Sequence, residues 1–302
     1  MDHKTETFLE YKSLLFSMAY NMLGHVAAAE DIVQDTFLKW MEIQADDVRN
    51  TKAYLVKMVT NKCINYLNSS PLKREEYIGI WLPEPLLNYD LNKPHAKIES
   101  YHALSIGILV LLEKLTPQER AIFLLKEVFA YDYHELAEIF DKTEDNCRQI
   151  FRRAKENLGK DIRRFEVDVK AHEKMLNNFL HAISEGNIED LVELLKEDIM
   201  LFADGGGKFI PVKNQRLTAA LKPIYGKTNV CRLLMTAVPK LYEANPDLRH
   251  EIIIANGLPS IISYLDTSPI GLVSIEPEGN QIKNIYVQTN PDKLKRFKKN
   301  FK

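Results

Sequence analysis

Arg148, Gln149, Arg152, Arg153 and Lys155 fall within eight consecutive positions, interleaved with Cys147, Ile150, Phe151, Ala154 and Leu158. Spaced this way, the apolar set forms one side of a helix and the nitrogen-rich set the other. Arg and Gln near a helix start suit base edges in a duplex groove, and further cations suit phosphates. The chemistry is recognition of a polyanion, not bond-making. A second polar face, Lys57, Asn61, Asn65 and Asn68, recurs at steps of four, four and three, the spacing of one helix side. A third, Asp31, Gln34 and Asp35, is acidic. The glycine run Asp204-Gly205-Gly206-Gly207-Lys208 is not a phosphate loop, because Phe202 and Phe209 stand where such a loop needs Gly and Ser/Thr. Asp204 with Tyr225 or Tyr242 would be the candidate general base and oxyanion donor of an enzyme. No spacing supports that pairing, and a carboxylate beside three glycines is expected to be hydrated. Cys63, Cys147 and Cys231 are odd in number and far apart, which indicates neither a disulfide framework nor a zinc site.

These faces need helices to carry them. Phe8, Tyr11, Leu15, Met18 and Met22 make one apolar stripe that ends at Gly24-His25. Ala28–Trp40 makes a second helix with Ile32, Val33, Phe37 and Trp40 inward. Thr51–Asn68 makes a third on Leu55, Val59, Cys63 and Tyr66. Pro71, Pro83, Pro85 and Pro94 then break helix through a linker, residues 71–99. It carries Tyr77, Ile78, Ile80, Trp81 and Leu82, too apolar for a free tether and suited to docking. From residue 100 to 165 the pattern is helical again. Thr116-Pro117-Gln118-Glu119 reads as a capping box, Tyr133–Phe140 as a short helix with Leu136, Ala137 and Phe140 inward, and Thr143 as the start of a helix to Leu158. Together these make a helix-turn-helix pattern. Residues 166–302 read as an α+β unit: helices at Glu173–Ser184, Ile188–Leu195 and Asn229–Tyr242, a strand Ile199–Ala203, and strands Leu248–Ala255, Ser260–Asp266, Gly271–Glu276 and Gln281–Gln288. They are expected to close as a curved antiparallel sheet around an apolar cone.

The 302 residues are enough for two or three domains with real cores, and the net charge of −2 excludes wholesale coating of polyanions but not a local basic stripe. Glu113–Asp145 holds four basic and nine acidic residues, while Arg148–Arg164 holds seven and two. The last thirteen residues hold six basic and one acidic, expected as a solvated basic tail or a second nucleic-acid contact. No signal peptide or membrane span is read, and a cytoplasmic location is expected.

The first unit (1–70) resembles the sigma-2 domain, and the third (100–165) the sigma-4 domain, of extracytoplasmic-function (ECF) sigma factors. Carrying the resemblance are Ala29-Glu30-Asp31 with Gln34-Asp35 and Phe37, and Cys147-Arg148-Gln149. Three further stretches look like signatures of the subgroup with a fused SnoaL-like C-terminal domain: Tyr77-Ile78-Gly79-Ile80-Trp81-Leu82-Pro83-Glu84-Pro85, Asp204–Lys208, and Asn290-Pro291-Asp292-Lys293-Leu294. The resemblance implies an all-α sigma-2 domain, an all-α sigma-4 domain and a cone-shaped α+β domain. It implies core RNA polymerase and promoter DNA as partners, with Asp31, Gln34, Asp35 and Leu38 meeting the polymerase. Asp46, Asp47, Arg49, Lys57, Asn61 and Asn65 would hold the −10 strand, and Arg148, Gln149, Arg152, Arg153 and Lys155 the −35 duplex. The three signatures would meet in a regulatory contact, with Lys208 pairing with Glu84 and the glycines approaching Trp81. No catalytic residue, metal or cofactor is implied. A small molecule in the cone is left open, a separate anti-sigma factor is not required, and the free chain is expected to be a monomer.

Overall fold

The computed structural model describes residues 3–43, 48, 50–69, 77–87, 104–159, 168–212 and 215–299. They form two compact units. The first holds the helices up to Leu158 apart from residues 105–107; the second holds those three residues, the linker segment Tyr77–Leu87 and the described residues from Asp168 onward.

In the first unit, α1 (His3–Leu23), α2 (Val26–Glu42) and α3 (Thr51–Ser69) pack on Phe8, Leu15, Met18, Ile32, Val33, Trp40, Leu55, Val59 and Cys63. Each such large side chain contributes about 1.5–3 kcal/mol by leaving water. Gly24 ends α1 at φ +64°, a left-handed conformation that costs a glycine little, and His25 then caps α2 by accepting from the Ala28 N–H. The helical repeat resumes at α4 (Ile106–Leu112) and α5 (Pro117–Phe123), which opens on the Thr116/Glu119 capping box. Beyond Phe123 the helix widens into one π turn, Leu124–Val128. α6 (Tyr133–Phe140) opens on a capping box between Asp132 and Glu135 that the sequence reading missed, and α7 (Glu144–Leu158) opens on Thr143. Between them Asp141 takes φ +51° at the tight turn. In α6 the buried residues are Leu136 and Ile139, so Ala137 and Phe140 lie only half inside.

In the second unit, α8 (Val169–Ser184), α9 (Ile188–Leu194) and α10 (Lys227–Ala244) cover one face of a six-stranded sheet. The strands are β1 (Leu195–Asp204), β4 (Ile224–Tyr225), β5 (Arg249–Ala255), β6 (Leu258–Leu265), β7 (Ser268–Glu278) and β8 (Gln281–Gln288), in the order β4-β1-β8-β7-β6-β5. A hairpin of β2 (Phe209–Val212) and β3 (Gln215–Thr218) stands apart. Leu176, Phe179, Leu191, Val230 and Leu234 meet Leu201, Ile261, Ile275 and Ile285 in the core between helices and sheet. The other face carries a smaller cluster, Ala255, Ile262, Tyr264 and Leu272, on which Leu87, Leu294 and Phe297 pack.

The expected all-antiparallel sheet is corrected at one seam. β1 runs parallel to β8, with Asp204 opposite Gln288, because β1 enters from the helices while β8 closes the β5–β8 meander. Period-2 alternation is the same in either direction, so pattern alone cannot show it. The strand expected at Ile199–Ala203 also begins four residues earlier, at Leu195.

Candidate nucleic-acid faces and the linker clasp

On α7, Cys147, Ile150, Ala154 and Leu158 are buried while Arg148, Gln149, Arg152, Arg153 and Lys155 are exposed, as the spacing requires. Arg148 donates to Asp145 at 2.8 Å and Glu144 at 2.7 Å, and its guanidinium lies 4.8 Å from the Tyr133 ring centre. Arg152 faces Glu156 at 3.1 Å, and the Lys155 ammonium sits over Phe151 at 5.2 Å. Exposed intrahelical pairs of this kind are worth only about 0.3–0.5 kcal/mol, so a phosphate or base edge displaces them at little cost. Arg148→Ala is expected to weaken binding of a cognate promoter duplex by ~1–3 kcal/mol, read by electrophoretic mobility shift.

Asp31, Gln34, Asp35 and Leu38 line the solvent side of α2 at steps of three, one and three. Leu38 is 56% exposed, an apolar residue amid an acidic stripe, and Asp35 reaches Lys62 at 3.3 Å. On α3, Asn61 and Asn65 are exposed. Lys57 differs from expectation: it donates to the Asp141 carboxylate at 2.6 Å and to the Glu138 carbonyl at 3.4 Å, at the C-terminal end of α6 where helix carbonyls favour a cation. Lys52 lies over the Tyr131 ring at 5.5 Å. Two cations of α3 are therefore occupied by the helix-turn-helix of the same unit. Asp141→Asn keeps a residue that tolerates the left-handed turn and releases Lys57. It is expected to raise affinity of the full chain for a single-stranded oligonucleotide by roughly twofold, the scale of one exposed ion pair. Asp46, Asp47 and Arg49 lie outside the described residues.

The second unit contains the densest polar cluster. Its centre is Asp204, the last residue of β1 and fully buried. Its carboxylate accepts from the Tyr77 hydroxyl at 2.5 Å, the Leu82 N–H at 2.8 Å, the Gly206 N–H at 3.1 Å, the Lys293 ammonium at 2.7 Å and, more loosely, Gln288 at 3.4 Å. The parallel register brings the end of β8 alongside, where the Thr289 and Asn290 N–H groups donate to the Asp204 carbonyl at 2.7 and 3.0 Å. Asn290 caps a four-residue helix, α11 (Pro291–Leu294), and its amide donates to the Tyr77 hydroxyl at 2.9 Å. That helix aims Lys293 inward, where it donates to the Leu82 carbonyl at 2.5 Å as well as to Asp204, and lies over the Tyr77 and Trp81 rings at 5.0 and 4.5 Å. Burial first, and then the bond to Asp204, push the Tyr77 phenol up, which keeps it a donor.

The three sequence signatures therefore do meet, but through other pairs than expected. Lys208 reaches Asp292 at 2.5 Å, not Glu84; buried Glu84 instead faces Arg296 at 3.6 Å. The glycines admit Tyr77 and Ile78 rather than Trp81: a Cβ on Gly206 would lie 3.1 Å from the Tyr77 hydroxyl, and one on Gly207 2.9 Å from Ile78. Trp81 is held by Lys293. The tail is not simply solvated, since Lys293 is buried, Arg296 faces Glu84, and Lys299 pairs with Glu251. Asp204 is fully buried, not solvent-exposed as a hydrated carboxylate beside three glycines would be. Tyr225 is 61% exposed and Tyr242 packs edge-on against His250, so neither joins Asp204 as a catalytic pair. Pro83, Pro85 and Leu82 complete the docked segment, and Leu86 closes it by exchanging two hydrogen bonds with Asn256.

Among the described residues, no cluster of His, Cys, Asp and Glu is placed to hold a metal ion, and no helix is long and apolar enough to cross a membrane.

The first unit is thus a three-helix bundle with an acidic outer stripe, followed by a helix-turn-helix with a basic second helix. Residues 7–70 match the family model of Sigma-70 region 2, and residues 106–158 that of Sigma-70, region 4. The chain is 28% identical over 294 residues to the ECF RNA polymerase sigma factor SigJ of Mycobacterium tuberculosis, covering 93% of this chain and 89% of that one. The crystal structure of SigJ matches with a TM-score of 0.74 at 25% identity, over 96% of this chain and 98% of that one. The ECF sigma factor SigW of Bacillus subtilis is 25% identical over 165 residues, which is 51% of this chain and 85% of SigW. Along nearly its whole length the chain is similar to ECF sigma factors, and residues 7–70 and 106–158 carry the two sigma-70 regions. It is an alternative sigma factor, which binds core RNA polymerase and directs promoter-specific initiation.

Proposed function

We propose that the C-terminal domain governs this sigma factor in cis by gripping the linker that joins sigma-2 to sigma-4. The observation that carries this is the buried Asp204, which takes the Tyr77 hydroxyl, the Leu82 N–H and the Lys293 ammonium at once. Tethering supplies an effective concentration of order mM, so even a modest clasp stays closed. The grip restrains the linker, and with it the separation the two DNA-binding domains can reach. A ligand in the cone would alter this only by binding one arrangement better than the other.

In this reading the stripe of Asp31, Gln34, Asp35 and Leu38 meets a basic element of the polymerase. Asn61, Asn65 and a released Lys57 face the −10 strand, with Asp46, Asp47 and Arg49 in the adjoining loop. Arg148, Gln149 and Arg152 read the −35 duplex while Arg153 and Lys155 position on phosphates. The protein acts in the cytoplasm as a monomer when free. It works without a cofactor and without catalysis by its C-terminal domain, since the only buried carboxylate proposed as a base is consumed structurally. The clasp stands in for a separate anti-sigma factor.

Reporter transcription with full-length Asp204→Ala and Trp81→Ala tests the reading, alongside co-purification with core polymerase. Altered output with retained polymerase binding supports it; wild-type output from both variants refutes it.

A further inference from the structure

Tyr133 is the first residue of α6 and was read from sequence only as a helix start. Its ring meets Phe151 edge-on at 6.3 Å, and Phe151 stacks on the buried Phe123 at 6.0 Å, so the ring is braced from the core outward. On it lie two cations. The Arg148 guanidinium is 4.8 Å from its centre and the Lys126 ammonium 4.7 Å, with Lys126 also donating to the Tyr131 carbonyl at 3.1 Å. Lys126 thereby ties the turn before α6 to the ring.

We propose that Tyr133 is a positioning residue for promoter recognition, a shelf that holds the Arg148 guanidinium at the orientation in which it reads a base pair. The inference rests on the reading of Arg148 as a DNA contact. Glu144 and Asp145 bind Arg148 through its N–H groups, which lie in the guanidinium plane. A guanine edge takes two of the guanidinium's five in-plane N–H donors, so it competes with Glu144 and Asp145 for the same plane. The ring, with the guanidinium carbon over it at 4.8 Å, attracts the cation's charge through its π system and not as a hydrogen-bond acceptor competing with a base edge. Tyr133 is therefore the partner able to stay in contact in both states, sparing the long side chain part of the ordering cost.

The test uses the full chain with core RNA polymerase, and as probe a promoter duplex selected from a random library by the wild-type complex, with each −35 base pair then varied singly. Arg148→Ala first identifies the base pair it reads. Tyr133→Leu is expected to weaken binding about 2- to 5-fold and to lose discrimination at that same base pair, whereas Tyr133→Phe keeps both. In the Arg148→Ala background, Tyr133→Leu should cost nothing further. Because Tyr133 also packs on Phe151, thermal unfolding is followed for each variant. Tyr133→Met, which fills space without a ring face, is the second probe should Leu unfold the domain. Wild-type discrimination in Tyr133→Leu or Tyr133→Met, or an undiminished loss in the Arg148→Ala background, overturns the shelf. An Arg148→Ala that binds like wild type overturns the DNA contact itself.

Discussion

Asp204→Ala is expected to destabilise the C-terminal domain and its docked linker by about 3–5 kcal/mol, the usual cost of removing one partner from a buried ion pair. The reason is what remains behind. Lys293 is 7% exposed, and without Asp204 its ammonium loses the buried carboxylate it meets at 2.7 Å, while the Leu82 carbonyl and two aromatic faces stay in place. The Leu82 N–H and the Tyr77 hydroxyl lose their carboxylate acceptor in the same step. The cation–π contacts contribute about 0.5–2 kcal/mol, too little to replace a buried carboxylate partner. Thermal unfolding and limited proteolysis between Tyr77 and Leu87 measure the loss. Adding Lys293→Met removes the stranded charge, so the double variant should be markedly more stable than Asp204→Ala alone. An Asp204→Ala protein that melts like wild type, with the linker equally protected, contradicts the clasp as the holding contact.

Gly206→Ala should cost about 2–5 kcal/mol at the same place for a different reason. Gly206 sits at φ +56°, where a side chain costs about 1–2 kcal/mol. A Cβ there would also lie 2.4 Å from the Asn290 amide nitrogen and 2.9 Å from its Cγ. Asn290 must then move, breaking its bond to Tyr77 and its cap on α11, each worth about 0.5–1.5 kcal/mol. Gly279 provides the control: it has φ +63° in the same domain, but nothing lies within 4 Å of its Cβ position. Gly279→Ala therefore reports backbone strain alone, and the difference between the two melting temperatures isolates the collision with Asn290. Equal shifts would mean that Gly206 is there only for its dihedral angles.

Much of the architecture was legible in the chain. The helices of the first unit follow from 3.6-residue stripes and from caps such as Thr116/Glu119 and Thr143, because both depend on residues a few positions apart. The exposed faces of α2 and α7 follow from the same periodicity, since burying one side of a helix exposes the other. Missed were the Asp132 cap, the π turn after Phe123 and the hairpin of β2 and β3, where the local pattern is short or ambiguous.

The meeting of the three signatures was legible as an expectation; its wiring was not. Sequence alone determined that Arg148 and its neighbours share a helix face, while Tyr77–Pro85, Asp204–Lys208 and Asn290–Leu294 stood out together through their resemblance to family signatures. Only the tertiary structure decided that Lys293, not Lys208, is the buried cation, that Lys208 turns to Asp292, and that Lys57 is taken by Asp141. The reason is one of range. Helix faces are set by local geometry, whereas the partner of a charge is set by which chain segments a sheet lays side by side. The parallel β1–β8 register, which leaves no mark on either strand's alternation, put Asp204 beside Gln288 and so within reach of Lys293.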